Sequence, residues 1–158
     1  MNKLSRSNIF SASAEEIGAL FGDYLNGDAS RPLLVISGQP LGEGARDALE
    51  KSFASFGYGH DACTYVTLAP AESAAGIVAL DPQALYLLVE GLDPLCVVCA
   101  DAAALDVFGR AYRTQFEPDS AARVFGRPAV MFHDLDASLA TEAGKQRVWH
   151  LLKSLPKR

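Results

Sequence analysis

A histidine followed by two nearby acids, His133-Asp134-Leu135-Asp136, is the segment of this sequence best equipped for chemistry. An imidazole can stabilise developing charge near neutral pH, and either carboxylate can serve as a general base. The same acids also read as solvated residues of a turn that caps a helix, and the imidazole as one hydrogen-bonded within its loop. A second candidate is Gly38-Gln39-Pro40-Leu41-Gly42-Glu43-Gly44. Glycines there let backbone N–H groups face an anion at a helix N-terminus, or they serve a plain tight turn between strand and helix. The segment lacks the Lys-Ser/Thr of a P-loop and the glycine order of a dinucleotide fingerprint. Glu43, the only acid of that loop, is either a base or a first-turn residue favoured by the helix dipole.

Cys96 and Cys99 have a C-x-x-C spacing. Strand positions three apart point to opposite faces, so these thiols cannot share one ion. All three cysteines read as small buried apolar residues, and neither metal nor cofactor is expected. The end of the chain is basic, with Lys145, Arg147, His150, Lys153, Lys157 and Arg158 all following the last acid, Glu142. Such a run can touch phosphate, or it can sit where cations favour a helix C-terminus. Trp149 reads as a packing residue.

These residues need elements to position them. Ser13 and Glu16 form a capping box that opens a helix through about Leu25, with Ile17, Leu20, Phe21 and Tyr24 as its apolar stripe. Four short apolar runs read as strands buried on both faces: Leu33 to Ile36, Cys63 to Leu68, Leu95 to Ala100, and Ala129 to Phe132. Between them lie a helix ending near Phe56-Gly57, a second capped by Asp81 with Pro82 at its first position, and a third capped by Asp101 and ended by Gly109. Residues 71–80 are Ala-rich and ambiguous, and residues 110–127 read as a long loop. A final helix runs from about Ala140 to Leu155. Apolar strands alternating with helices predict an α/β domain, three layers deep, around a four-stranded, mostly parallel sheet. Ligands of such sheets bind beyond the carboxyl ends of the strands. That rule nominates Gly38–Gly44, Leu68–Pro70, Ala100-Asp101 and His133–Ser138.

The chain has 158 residues, 49% of them hydrophobic and 21% charged, which suits one domain spanning 1–158, with 1–31 as N-terminal helix and lead-in. A net charge of −5 argues against a broadly basic, nucleic-acid-coating surface. Three cysteines cannot form a fully paired disulfide framework. The residues after Met1-Asn2-Lys3 lack the apolar run of a signal peptide, and no stretch approaches the ~20 apolar residues of a membrane span. A cytoplasmic protein with no membrane partner is expected.

Leu92-Asp93-Pro94, Val97 through Ala103, Val107-Phe108-Gly109, Phe132 through Leu135, and Lys145 through Trp149 together resemble corresponding runs of the uracil-DNA glycosylase superfamily, in its compact bacterial and archaeal branches. Gly38-Gln39-Pro40-Leu41-Gly42 stands where that family has G-E-x-P-G, and Tyr65-Val66-Thr67-Leu68 where it has Y-I-T-N. The resemblance spans roughly residues 32–155 and implies a uracil-DNA glycosylase-like fold. It also implies that His133 occupies the position of the histidine that stabilises charge on the departing base. The departures bear on activity. The family reads the uracil edge with an amide where this chain has Leu68, and losing such hydrogen bonds costs discrimination on the order of 10⁴. The family's water-handling residue and base-stacking Pro-Phe have no counterpart, and Asp134 replaces a proline beside the site of developing negative charge.

The expectation is a diverged member without standard glycosylase activity. It would hold a nucleobase-like or other small polar ligand around Gly38, Gln39, Gly42, Thr67, Leu68, Asp101 and His133. One rival is an active glycosylase or related hydrolase, in which Glu43, Asp134 or Asp136 activates water and His133 is the electrophile. The other is a pocketless protein-interaction domain with an apolar surface patch around Phe108, Tyr112 and Phe116.

Overall fold

Apolar runs with no polar alternation can satisfy both faces only inside a sheet covered on both sides, and four such runs form the centre of this molecule. The computed structural model describes residues 13–70 and 78–157. In chain order the elements are α1 (Ala14–Leu20), a 3₁₀ turn (Gly22–Tyr24), β1 (Leu25–Asn26), β2 (Leu33–Ser37), α2 (Glu43–Ser55), β3 (Cys63–Thr67) and α3 (Pro82–Leu92). They continue with β4 (Cys96–Cys99), α4 (Ala102–Ala111), β5 (Ser120–Val124), β6 (Arg127–Met131), α5 (Leu135–Ser138) and α6 (Glu142–Leu152).

The strands form a mixed sheet in the order β1-β3-β2-β4-β6-β5. β3, β2, β4 and β6 run parallel, while β1 and β5 close the two edges antiparallel. Alternate residues of each central strand enter opposite cores. Leu34, Ile36, Val66, Val97, Cys99 and Met131 meet α1, α3 and α4 on one face. Leu33, Val35, Cys63, Tyr65, Cys96, Val98 and Val130 meet α2, α5 and α6 on the other. Cys96 and Cys99 therefore face opposite layers, and the three thiols are free and buried. Among the described residues, no helix is long and apolar enough to cross a membrane.

Several elements differ from those expected. The sheet has six strands among the described residues, not four. The extra two are edges. β1 is only Leu25-Asn26, cut from the expected first helix, which ends at Leu20. β5 arises inside the expected loop 110–127, where Phe125 and Gly126, both with positive φ, make a two-residue turn into β6. Half-buried edges carry no continuous apolar signal, and Ser120-Ala121-Ala122-Arg123 has little β-propensity. α4 passes through Gly109 to Ala111, and glycine there answers to packing rather than helix ending, since a Cβ would meet the Thr114 carbonyl oxygen at 2.8 Å. The expected final helix is α6, capped by Thr141, and a short unexpected helix, α5, capped by Asp134, precedes it. Phe108, Tyr112 and Phe116 are buried in the core rather than forming a surface patch. The ambiguous residues 71–77, the first twelve residues of the N-terminal lead-in and Arg158 lie outside the described residues.

Candidate functional site

From β2 the chain moves to β3 on one side, then returns past β2 to β4 on the other, so the topological switch lies between β2 and β4. Open α/β sheets bind ligands in the crevice at such a point. Here Asp101 fills it. Its carboxylate caps α4 by accepting from the Ala104 N–H at 2.8 Å. Both carboxylate oxygens also accept from the Gly38 N–H across the crevice, at 3.0 and 2.8 Å. A side chain on Gly38 would meet the Ala103 Cβ at 2.6 Å, so only glycine permits this approach of the two loops. Neighbouring strand ends are laced likewise: the Leu68 N–H donates to Ser37, Ala69 to Gly38, and Leu135 to Ala100.

The other sequence candidates are distributed along this closed edge. Thr67 is half-buried at the end of β3, and Leu68 is buried, its carbonyl accepting from the Leu80 N–H. Gln39 and Gly42 are exposed, and Gly42 precedes α2 without a side-chain cap. Glu43 is the exposed first residue of α2, where the helix dipole favours an acid. Asp134 caps α5 through the Ala137 N–H at 3.0 Å, and its backbone bridges that of Asp101. Asp136 is exposed, with its Oδ1 3.1 Å from where a Cβ on Gly42 would lie. The imidazole of His133 is exposed, and its backbone N–H donates to Asp119 Oδ1 at 3.3 Å. The structure thus brings Asp101 to Gly38 and Asp136 to Gly42, but the carboxylates of Asp101 and Asp134 are engaged as helix caps.

Room for a ligand opens beside β6 instead. A cleft of about 620 Å³ lies between the carboxyl end of β6 and α6, floored by Phe132, Val148 and Leu151 and rimmed by Asp119, Ser138, Gln146, Arg147 and His150. Arg147 and His150 stand one turn apart on the same face of α6, a consequence of i,i+3 spacing. No ion pair or hydrogen bond engages the Gln146, Arg147 or His150 side chains among the described residues. Asp119 adopts left-handed backbone, φ 54°, where the loop turns into β5, and this aims its carboxylate at His133 and the cleft. The arrangement offers a cation and an imidazole against an acid and an amide over an apolar floor. It can hold a small planar or apolar body carrying an anionic group. None of the expected ligand-binding residues Gly38, Gln39, Gly42, Thr67, Leu68, Asp101 and His133 lines this cleft or a second one of about 560 Å³ between α2 and α6. Sequence reasoning singled out the basic run of the last helix, and the strand-end rule reached as far as Ser138, but neither named Asp119 or Gln146. Their signal is tertiary, because Asp119 joins the site through a β-hairpin read as loop.

On the far side of α6, Trp149 packs on Phe56 with ring centroids 5.1 Å apart, while remaining 40% exposed. Burial pushes up the thiols of Cys63, Cys96 and Cys99, which suppresses the thiolate needed for metal binding or nucleophilic attack. Among the described residues there is no cluster of three or more His, Cys, Asp or Glu side chains able to hold a metal ion. Compared with known protein families and with curated proteins, the sequence matches none.

Proposed function

We propose that this chain is a diverged relative of the uracil-DNA glycosylases that has lost base excision. In this reading it binds a nucleobase-like or other small polar ligand with an anionic group, in the cleft between β6 and α6. The parallel strands β3, β2, β4 and β6 are then the core sheet of the family, with β1 and β5 as edge additions. The segments that carry the resemblance support this. Val97 to Cys99 lie in β4, Ala102-Ala103 open α4, His133 follows β6, and Lys145 to Trp149 lie in α6.

The loss of excision rests above all on the Asp101 carboxylate hydrogen-bonded to the Gly38 N–H. Base excision needs room for a flipped base, an edge-reading partner, and donors aimed at the charge that leaves. Here the N–H group best placed to face a ligand is bonded to an acid. Leu68 offers no edge-reading group, and its backbone N–H and C=O are both hydrogen-bonded. A carboxylate at the base of the crevice opposes the negative charge that excision creates. Binding, by contrast, is favoured where Arg147 and His150 stand without partners among the described residues. Three buried free thiols suit the reducing cytoplasm.

Two measurements test this. Duplex and single-stranded oligonucleotides carrying uracil, hypoxanthine or a mismatch should yield no abasic sites above background. Base release abolished by His133→Ala would restore the enzyme reading. Titration with uridine monophosphate, followed by NMR, should shift resonances of Gln146, Arg147 and His150. Arg147→Glu should weaken binding roughly 10- to 100-fold, as loss of a charge-assisted hydrogen bond of about 1.5–3 kcal/mol implies. Shifts confined to residues 38–42 would place the ligand elsewhere.

A further inference from the structure

We propose that two copies of this chain pair antiparallel through the free edge of β5, about a two-fold axis at Ala121, and merge their sheets into one. The inference is independent of the ligand reading and starts from the turn Phe125-Gly126, whose φ values of 53° and 82° belong to a two-residue type I′ hairpin. In that hairpin the flanking residues, Val124 and Arg127, exchange both backbone hydrogen bonds, and bonded pairs alternate away from the turn. Ala122 with Ala129 and Ser120 with Met131 are then bonded pairs, while Arg123 with Pro128 and Ala121 with Val130 are not. Pro128, which has no N–H, sits where none is needed. The backbone N–H and C=O groups of Ala121 and Arg123 therefore point outward, along the last strand of the sheet among the described residues. That strand has no proline, and Arg123 is its only charge. The opposite edge, β1, has two residues and offers little to pair with.

Charge selects a second copy as the occupant. Outward-pointing residues must pair with outward-pointing residues, which leaves few antiparallel registers. An axis at Arg123 sets two guanidinium groups face to face, and an axis at Ala122 sets Arg123 against alanine. An axis at Ala121 sets two small side chains against each other at the centre and brings Arg123 of each copy to Asp119 of the other, twice. Both residues are exposed and without ion pairs among the described residues; the Arg123 guanidinium donates to the carbonyl of Gly126 in its own turn, and Asp119 Oδ1 accepts from the His133 N–H, which leaves its charge unpaired. Ala121 and Arg123 face the α6 side of the sheet, since Ala122 and Val124 between and beside them enter the opposite core, and Asp119 lines the cleft against α6. Such an interface is isologous, as closed two-fold assemblies require.

Sedimentation velocity over a concentration series tests it. The protein should form dimers that weaken as salt is raised. Arg123→Asp and Asp119→Arg should each weaken self-association roughly tenfold, because two attractions become two repulsions. An equimolar mixture of the two variants should dimerise again, since each then opposes its complement. Ala121→Pro removes an outward N–H at a position where an edge strand tolerates proline, and should yield a folded monomer. A wild type that stays monomeric at high concentration overturns the proposal. So does a dimer whose affinity is the same in Arg123→Asp and Ala121→Pro.

Discussion

Arg127 carries the most heavily bonded side chain described in the fold. Its guanidinium donates to the Pro94 carbonyl at 2.8 Å, to Glu90 at 2.9 Å and to Asp93 at 2.8 Å, while the Tyr112 hydroxyl also donates to Glu90 at 2.7 Å. Arg127 and Glu90 are 12% and 13% exposed, so removing one strands the other's charge largely out of water. Arg127→Ala should lower unfolding free energy by about 3 kcal/mol in urea titrations, and a loss below about 1 kcal/mol would contradict this role. Asp93, 83% exposed, should cost less than about 1 kcal/mol on change to Asn. None of this was readable from the chain, because Glu90 and Arg127 lie 37 positions apart. Asp101 was half legible. Its capping role follows from a local rule, whereas its bonds to Gly38 depend on two strands becoming neighbours.

Elements were legible where their signal is local. The caps at Ser13, Asp81 and Asp101 and the four central strands follow from residue type and apolar runs. The short helix α5 ahead of the C-terminal helix does not, for the corner between them turns on Gly144. A Cβ there would lie 1.8 Å from the Ser138 carbonyl oxygen, so the corner between α5 and α6 closes only over a bare Cα. Gly144→Ala should destabilise by roughly 3 kcal/mol, the upper part of the overpacking range. Gly44, in the first turn of α2, has open space around it, and Gly44→Ala should stabilise by roughly 0.5–1 kcal/mol. Thermal melts of the two variants should move in opposite directions. The hairpin β5–β6 escaped sequence reading for the related reason that its outer strand owes its form to β6 rather than to its own residues.

At the scale of the whole molecule, burial sets the response to pH. Burial, above all, raises the thiols of Cys63, Cys96 and Cys99 and the phenols of Tyr65 and Tyr112 over their ordinary values. Glu50 adds to the shift at Cys63 and Tyr65, Asp101 at Cys99 and Glu90 at Tyr112. As pH climbs past the ordinary thiol value of 9.0, the unfolded chain releases these protons while the folded one retains them. Stability should therefore hold below about pH 8 and fall progressively from about pH 9 upward, as urea midpoints at each pH would show. A flat profile would mean that the thiols are not held in the fold as described.

The sequence alone determined the α/β class and the alternation of apolar strands with capped helices, since a strand buried on both faces and a helix cap are written within a few adjacent residues. Only the tertiary structure decided that Asp101 would shut the crevice at the strand switch. It alone brought Asp119 to the cleft flanked by Arg147 and His150, and turned part of an expected loop into an edge strand. Each of those outcomes requires segments far apart in the chain to meet, and local residue patterns carry no record of such meetings.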